Sequence, residues 1–259
     1  MSEALVITSG KGGVGKSTVA VNLGVSLARL GQKTVVIDAD TGLRSLDVLL
    51  GMENDVVYDL TDVVEGVCPL HRAMVPVRGV QEMYLLAAAQ LRDMSSVTRD
   101  EMDEVASQLK ERFDYVLIDC PAGVDTGFRI AVAGADRAII VTQNDVVCQR
   151  DAERVKGLLE RAGIMNIALL VNRVRPEKLQ KNQPSSCEIM AEQLEMPLIG
   201  NIQARASVFR EALQQGRPAA LDDKEQAQVF EELARRVMGE EIPVKPIRQP
   251  GFWASLLKG

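Results

Sequence analysis

The sequence predicts a three-layer α/β fold, in which a mostly parallel, twisted sheet carries helices on both faces. Short runs rich in Val, Ile and Leu are nearly continuously apolar, as expected for strands that are covered on both sides. These runs alternate with helix-like segments, and this order implies parallel pairing through right-handed crossovers. A chain of 259 residues is long enough for one large domain with a sizeable core.

The predicted elements follow one another in a regular order. The strands are ALVIT (4–8), TVVID (34–38), MYLLA (83–87), YVLID (115–119), RAIIVT (137–142), IALLVN (167–172) and PLIGN (197–201). The helices cover roughly 16–30, 99–112, 148–162, 205–215 and 224–238. Thr98 and Glu101 form a capping-box pair at the start of the second helix.

The stretch EEIPVKPIRQP (240–250) contains three prolines, which interrupt any helix. It divides the chain into a large domain (1–239), a proline-containing linker (240–250) and a separate end (251–259).

Composition excludes several classes of protein. A net charge of −6 argues against a surface that binds nucleic acid everywhere, although a local basic patch is compatible with it. The four cysteines, Cys68, Cys120, Cys148 and Cys187, have no C-x-x-C spacing, which favours free thiols in a reducing compartment over a metal cluster. The N-terminus lacks the charge layout of a signal peptide, and no apolar run approaches the roughly 20 residues of a membrane span. We therefore expect a cytoplasmic protein.

A glycine-rich loop between the first strand and the first helix predicts a nucleotide phosphate site. GKGGVGKS, from Gly10 to Ser17, satisfies G-x-x-x-x-G-K-[ST] in the strand–loop–helix context that this P-loop motif requires. Its glycines allow backbone N–H groups to face phosphate oxygens, Lys16 adds charge, and the Ser17 hydroxyl suits Mg²⁺. The predicted nucleotide-binding residues here are Gly10, Lys11, Gly12, Gly13, Val14, Gly15, Lys16, Ser17 and Thr18.

Lys11 is the unusual residue of this loop, because the ordinary motif does not specify a lysine at its second position. A second cation here costs repulsion unless an anion is bound. We therefore expect Lys11 to contact phosphate too.

Three acidic residues follow predicted strands. Asp38 and Asp40 end the second strand and Asp119 ends the fourth. The carboxyl ends of parallel strands form the ligand-binding edge of such a sheet, so we expect the acids to meet the loop there. Asp119 is predicted to hold the Mg²⁺ shell, and Asp38 or Asp40 to orient the attacking water.

The segments KGGVGKS, DADTGLRSLD and DCPAG together resemble the deviant-Walker P-loop ATPases, the ParA/MinD family. Within this family GLRSLD, VVYDL, AAQLRD and NDVVCQRDAERVKGLL are most similar to the MinD branch, and the resemblance runs along essentially the whole chain. Two departures stand out: Ser45 replaces an asparagine of that branch, and NIQARASVFREA (201–212) stands where it usually carries I-P-E-D-x-x-V-x-x-A.

The resemblance implies roles for particular residues. Lys11 would be the signature lysine that reaches the partner's nucleotide in an ATP-sandwich homodimer, and the catalytic residues would be Lys11, Lys16 and Asp40. Asp38 would lie beside the metal, with Ser17 and the Walker B acid Asp119 as its other ligands. Asn172, in VNRVRP, would contact the adenine. The implied activity is slow, partner-regulated hydrolysis of ATP with Mg²⁺ as cofactor.

The end of the chain, GFWASLLKG, has the composition of an interfacial membrane anchor. Phe252, Trp253, Leu256 and Leu257 share one face of a predicted helix, with Lys258 beside them. Residues 243–259 carry a charge of +3 through Lys245, Arg248 and Lys258 and contain no acid. The C-terminal membrane-targeting helix of the MinD branch supports the same interpretation.

These observations lead to one main hypothesis: an ATPase that dimerises with Mg-ATP, binds the inner face of the cell membrane peripherally and controls placement of the division septum. The resemblance implies a MinC-like inhibitor and a MinE-like or other activator as partners, and we do not expect nucleic acid as a partner. The alternatives are a ParA-like DNA- or cargo-partitioning ATPase and a relative that positions flagella or chemotaxis arrays. An iron–sulfur carrier would need clustered thiols, which the cysteine spacing opposes.

Overall fold

A computed structural model describes residues 2–40, 45–89, 97–176 and 186–247. Its strands are β1 Glu3–Thr8, β2 Thr34–Asp38, β3 Met74–Pro76, β4 Met83–Leu86, β5 Tyr115–Asp119, β6 Arg137–Gln143, β7 Ile167–Val174 and β8 Leu198–Gln203. Its helices are α1 Lys16–Arg29, α2 Leu46–Leu50, α3 Leu60–Val64, α4 Leu70–Ala73, α5 Arg99–Lys110, α6 Thr126–Ala133, α7 Val146–Arg161, α8 Ser186–Gln193, α9 Ala206–Gln215, α10 Ala219–Asp222 and α11 Lys224–Val237.

The strands form one open sheet in the order β3-β4-β2-β5-β1-β6-β7-β8. The pairs from β4 to β8 are parallel, and the edge strand β3 pairs antiparallel with β4. In the register between β2 and β5, Asp38 lies directly opposite Asp119. The order places β1, and therefore the loop that follows it, in the middle of the sheet. The predicted mostly parallel sheet is confirmed.

Two apolar cores lie on opposite faces of this sheet. Successive residues of β1 point to different cores: Ala4 and Val6 to one, Leu5 and Ile7 to the other. The first core contains residues from α5 to α8, such as Met102, Phe128, Val155 and Met190. The second contains residues from α1 and α11, such as Leu23 and Phe230. Helices therefore cover both faces, which confirms the predicted three-layer fold.

Several short elements differ from the sequence-based prediction. β3 has three residues and α2, α3, α4 and α10 have four or five, too few to show a complete period of apolar positions. The eight-residue helices α6 and α8 were also not predicted. The capping box of Thr98 and Glu101 is confirmed, since each residue's side chain accepts a hydrogen bond from the other's backbone N–H.

Part of the predicted linker lies against the domain. The Arg236 guanidinium donates hydrogen bonds to the carbonyl oxygens of Ile242 at 2.7 Å and Pro243 at 3.0 Å. The Asn201 amide donates to the carbonyl oxygen of Lys245 at 3.1 Å. The division at residues 239 and 250 stays a prediction, and the tail residues Phe252, Trp253, Leu256, Leu257 and Lys258 lie outside the described residues. None of the helices described is both long and apolar enough to cross a membrane.

Candidate nucleotide-binding and hydrolysis site

The glycine-rich loop joins β1 to α1, as the P-loop prediction requires. Gly13 and Gly15 have φ values of 75° and 101°, a left-handed conformation that glycine adopts without steric cost. The Ser9 hydroxyl donates to the carbonyl oxygen of Lys11 at 2.8 Å and braces the turn. α1 begins at Lys16, so the positive end of its dipole faces the loop and favours a bound phosphate.

The loop is clamped between α7 and β7. A Cβ atom on Gly10 would lie 2.7 Å from the Cβ of Asp151, and one on Gly15 would lie 2.4 Å from Nδ2 of Asn172. Neither position therefore accepts a side chain without displacing its neighbour. This close packing holds the loop in place before any ligand arrives.

Asn172 holds the loop through its side-chain amide. Its Nδ2 donates to the carbonyl oxygen of Val14 at 2.7 Å, and its Oδ1 accepts from the backbone N–H of Arg173 at 2.8 Å. The residue is 6% exposed and lines the pocket beside Gly15. Its position supports a role in organising the loop, and contact with adenine stays a prediction.

The two lysines of the loop have different surroundings. Lys16 is 7% exposed and opens α1, whereas Lys11 is exposed and makes no ion pair with a described residue. The pKa of Asp145, at the start of α7, is lowered chiefly by a hydrogen bond from the Cys148 N–H, and the charge of Lys11 contributes. Lys11 thus lies over the start of α7 with its ammonium group accessible.

Asp38 is buried and already hydrogen-bonded. Its Oδ1 accepts from the Asp40 N–H at 3.0 Å, and its Oδ2 accepts from the Ser45 and Leu46 N–H groups at 3.0 and 3.1 Å. Burial nevertheless raises the pKa of Asp38 to about 6. Because both oxygens accept from backbone N–H groups, Asp38 supports Asp40 after β2 and the start of α2 directly. Its contact with the metal stays a prediction.

Asp119 is buried without such support. It is 1% exposed, and neither carboxylate oxygen has a hydrogen-bond partner of normal geometry in the described part of the chain. Burial raises the pKa of Asp119 to about 8, and the neighbouring Asp38 adds to the effect. The nearby Ser17 hydroxyl and the Lys16 ammonium offset it only in part.

These residues fit a Mg²⁺ ion bound together with nucleotide phosphates. Asp119 offers a carboxylate that has no hydrogen-bond partner of normal geometry among the residues described, and the Ser17 hydroxyl is close to it. In residues 2–40, 45–89, 97–176 and 186–247, no group of three or more His, Cys, Asp or Glu residues could hold a metal by itself. That is the usual situation for Mg²⁺, which keeps waters and takes oxygens from the substrate. Asp40 follows β2 beside these groups and is partly buried, and its action on water stays a prediction.

A cavity of about 660 Å³ opens from the loop and is large enough for a nucleoside. It begins at Gly15 and Thr18 and continues between β7, β8 and α9. Its walls include several residues that sequence reasoning missed: Leu49, Arg173, Arg175, Arg205, Phe209, Arg210 and Leu213. Two signals could have found them: the rule that ligands lie beyond the carboxyl ends of strands, and the departure at 201–212.

Arg205, within that departure, forms ion pairs with acidic residues. Its guanidinium donates to Glu225 at 2.6 Å and to Asp223 at 3.4 Å, at the start of α11. The segment therefore joins the pocket wall to the start of α11 through ion pairs.

Comparison with known proteins agrees with this geometry. A family model described as "ParA: NUBPL iron-transfer P-loop NTPase" matches residues 1–238. The septum site-determining protein MinD of Synechocystis sp. is 45% identical over 245 residues, which cover 94% of this chain and 92% of the relative.

Two solved structures are similar over nearly their whole length. The MinC:MinD cell division protein complex of Aquifex aeolicus matches with a TM-score of 0.87 and 40% identity, covering 95% of this chain and 100% of that one. The septum site-determining protein MinD complexed with Mg-ADP from Pyrococcus horikoshii matches with a TM-score of 0.80 and 30% identity, covering 93% and 100%.

The iron-transfer wording of the family model is not reflected in the cysteines of this chain. All four are buried free thiols that come from separate parts of the fold. The P-loop, the acids beside it and the nucleoside-sized cavity instead form an ATP site, with Mg²⁺ as its cofactor. Together with the whole-chain similarity, this site shows that the chain belongs to the MinD group of the ParA-type P-loop ATPases, which hydrolyse ATP.

Proposed function

We propose that this ATPase dimerises when it binds Mg-ATP, attaches in that state to the inner face of the cell membrane, and controls where the division septum forms. The observation that carries the proposal is the 45% identity to a septum site-determining MinD along 94% of the chain. The exposed Lys11, without an ion pair among the described residues, supports the dimer. A lysine in this position is available to a phosphate of a second subunit.

In the proposed reaction, water attacks the terminal phosphate of ATP. Lys16 and the start of α1 bind the phosphates, and Asp119 with Ser17 would hold the Mg²⁺ shell. Mg²⁺, when bound, neutralises charge on the phosphate oxygens. Asp40 orients the attacking water, and Lys11 of a second copy compensates charge that develops during bond breaking. The bond between the β- and γ-phosphates breaks, which leaves ADP and inorganic phosphate. Once the phosphate leaves the site, the anion that Lys11 of the second copy contacts is gone, and the dimer is released.

Membrane attachment is proposed to depend on residues 251–259. An apolar helical face made by Phe252, Trp253, Leu256 and Leu257, beside Lys258, suits the interfacial layer of an anionic membrane. One tail of this length buries little apolar surface, so it binds weakly. Two tails held together in a dimer act on the same membrane and bind far more strongly.

A MinC-like inhibitor of septum formation is the first partner we infer. The similar Aquifex aeolicus structure is itself a MinC:MinD complex, which supports a partner of this kind. An activator of hydrolysis, MinE-like or another, is the second, because a slow ATPase needs a release signal to leave the membrane.

Vesicle sedimentation tests the proposal. The full chain is mixed with anionic vesicles and Mg-ATP or Mg-ADP, beside a chain that lacks 251–259 and a Lys11→Ala variant. We expect the full chain to bind about tenfold or more better with ATP than with ADP, because two tails then act together. Both variants should fall to background while the Lys11→Ala chain still binds ATP.

Two results would contradict this proposal. Equal sedimentation with ATP and ADP would exclude nucleotide control of attachment. Retention by double-stranded DNA with ATP, unaffected by tail deletion, would instead support the ParA-like partitioning function.

A further inference from the structure

The start of α2 is attached to the acidic side of the ATP site. Asp38 accepts hydrogen bonds from the N–H groups of Ser45 and Leu46, the residues at which α2 starts. Asp38 also lies opposite Asp119 in the sheet. A rearrangement of these carboxylates around a metal and phosphate therefore acts directly on the start of α2.

The other end of α2 rests on the end of α9, backbone against backbone. Gly51 ends α2 with φ 63°, and Gly216 ends α9 with φ 59°. A Cβ on Gly51 would lie 2.8 Å from the carbonyl oxygen of Gly216, and one on Gly216 would lie 2.6 Å from the Cα of Gly51. Each position thus requires glycine for two reasons: its backbone is left-handed, and the other chain segment lies too close for a side chain.

α9 forms one wall of the nucleoside cavity and is weakly attached to the core. None of its residues is fully buried, and Phe209, Arg210 and Leu213 line the cavity. Its first turn is held through Arg205, which pairs with Asp223 and Glu225, and its last turn meets Gly51. Between these ends Phe209 packs, partly buried, against the second core, so α9 can shift with little repacking of that core.

We propose that the contact between Gly51 and Gly216 positions α9 in response to the phosphate and metal end of the site, so that the nucleoside wall helps to distinguish Mg-ATP from Mg-ADP. Both glycines are positioning residues, since neither lines the cavity. The proposal depends on the ATPase site alone and not on dimerisation or membrane attachment. Leu49 of α2 lines the same cavity, so a shift of α2 reaches the nucleoside from two sides.

The Gly216→Ala variant tests this proposal, because its methyl group would separate the two helix ends. Affinities for Mg-ATP, Mg-ADP and inorganic Mg-tripolyphosphate are measured by calorimetry, at protein concentrations low enough to prevent self-association. We expect the ratio of ATP to ADP affinity to fall by about 3- to 10-fold. Tripolyphosphate has no nucleoside and does not reach α9. The affinity of the variant for it should therefore stay within about twofold of the wild-type affinity.

Gly66→Ala is the matched control. Gly66 has φ 72° but nothing lies within 4 Å of a Cβ at that position, so the variant carries the same backbone strain without the steric conflict. Its affinity ratio should remain that of the wild type. Gly51→Ala separates the same contact from the other side and should change the ratio in the same direction as Gly216→Ala.

Hydrogen exchange on the wild-type protein provides a measurement that does not depend on the folding of any variant. Replacing Mg-ADP by Mg-ATP should change protection in residues 46–51 and 206–216 together. The proposal is overturned if α9 shows no difference between the nucleotides, or if Gly216→Ala and Gly66→Ala have the same affinity ratio. A wild-type protein that binds neither nucleotide would instead contradict the ATPase assignment.

Discussion

At the scale of single residues, the buried carboxyl of Asp119 makes the stability of the fold depend on pH. Its carboxyl has a pKa of about 8 in the fold against 3.8 as the ordinary value, so the folded state binds more protons between these values. Stability contributed by the protonated carboxyl is present at low pH and is lost as pH rises towards 8. The negative charge that Asp119 acquires on losing its proton destabilises the fold, and a bound Mg²⁺ would neutralise it.

Asp119→Asn should therefore remove this pH dependence. In metal-free protein with a chelator, wild-type melting temperature is expected to fall between pH 7 and pH 8.5, above the pKa of about 6 of Asp38, and that of the variant to stay nearly constant over this interval. Thermal melts at matched ionic strength measure it. The variant should also lose Mg²⁺-dependent hydrolysis. A wild-type stability that rises with pH over this range would show that another group dominates.

Asp40→Ala should separate binding from chemistry. We expect it to retain Mg-ATP while the hydrolysis rate falls by about 10²- to 10⁴-fold, since the group that orients the water is gone. Phosphate release under saturating ATP measures the rate, and equilibrium titration measures the affinity. Asp103→Ala, an exposed carboxylate on α5, is the control and should turn over normally. Normal turnover by Asp40→Ala would remove Asp40 from the mechanism.

At the scale of elements, α11 organises the segment that follows it through Arg236. The guanidinium reaches the carbonyl oxygens of Ile199 in the edge strand β8 at 3.3 Å, and of Ile242 and Pro243. It also pairs with Glu232 one turn earlier on α11 at 3.3 Å. One side chain thus joins the helix, the edge of the sheet and residues 240–247.

Arg236→Ala should loosen that segment. The loss of several charge-assisted hydrogen bonds to partly buried carbonyls predicts a destabilisation of about 1–3 kcal/mol. Denaturant unfolding measures it, and limited proteolysis should show faster cleavage within 240–247. Its neighbour Arg235 pairs with Glu231 and Glu240 on the exposed side, so Arg235→Ala is the control and should leave unfolding nearly unchanged. Equal effects of both variants would contradict the assigned role of Arg236.

At the scale of the whole molecule, long apolar strands and long amphipathic helices were predictable. The predicted strand 115–119 matches β5, and the predicted helix 99–112 contains α5, because a buried strand and a capped helix leave signals within a few residues. The edge strand β3 was missed because three half-exposed residues carry no such signal. Within the site, the loop and the strand-end acids were predicted, whereas the residues of α9 and of the β7–β8 edge that line the cavity were not.

The sequence by itself determined the phosphate loop, the acids that end the strands and the family, because each depends on residue types at fixed local spacing. Only the tertiary structure decided what surrounds them. Asn172 reaches Val14 from 158 residues away, Asp38 stands directly opposite Asp119 because β2 pairs with β5, and Gly51 meets Gly216 where two helices end. Strand order and helix packing bring such distant segments together, and no local pattern encodes them.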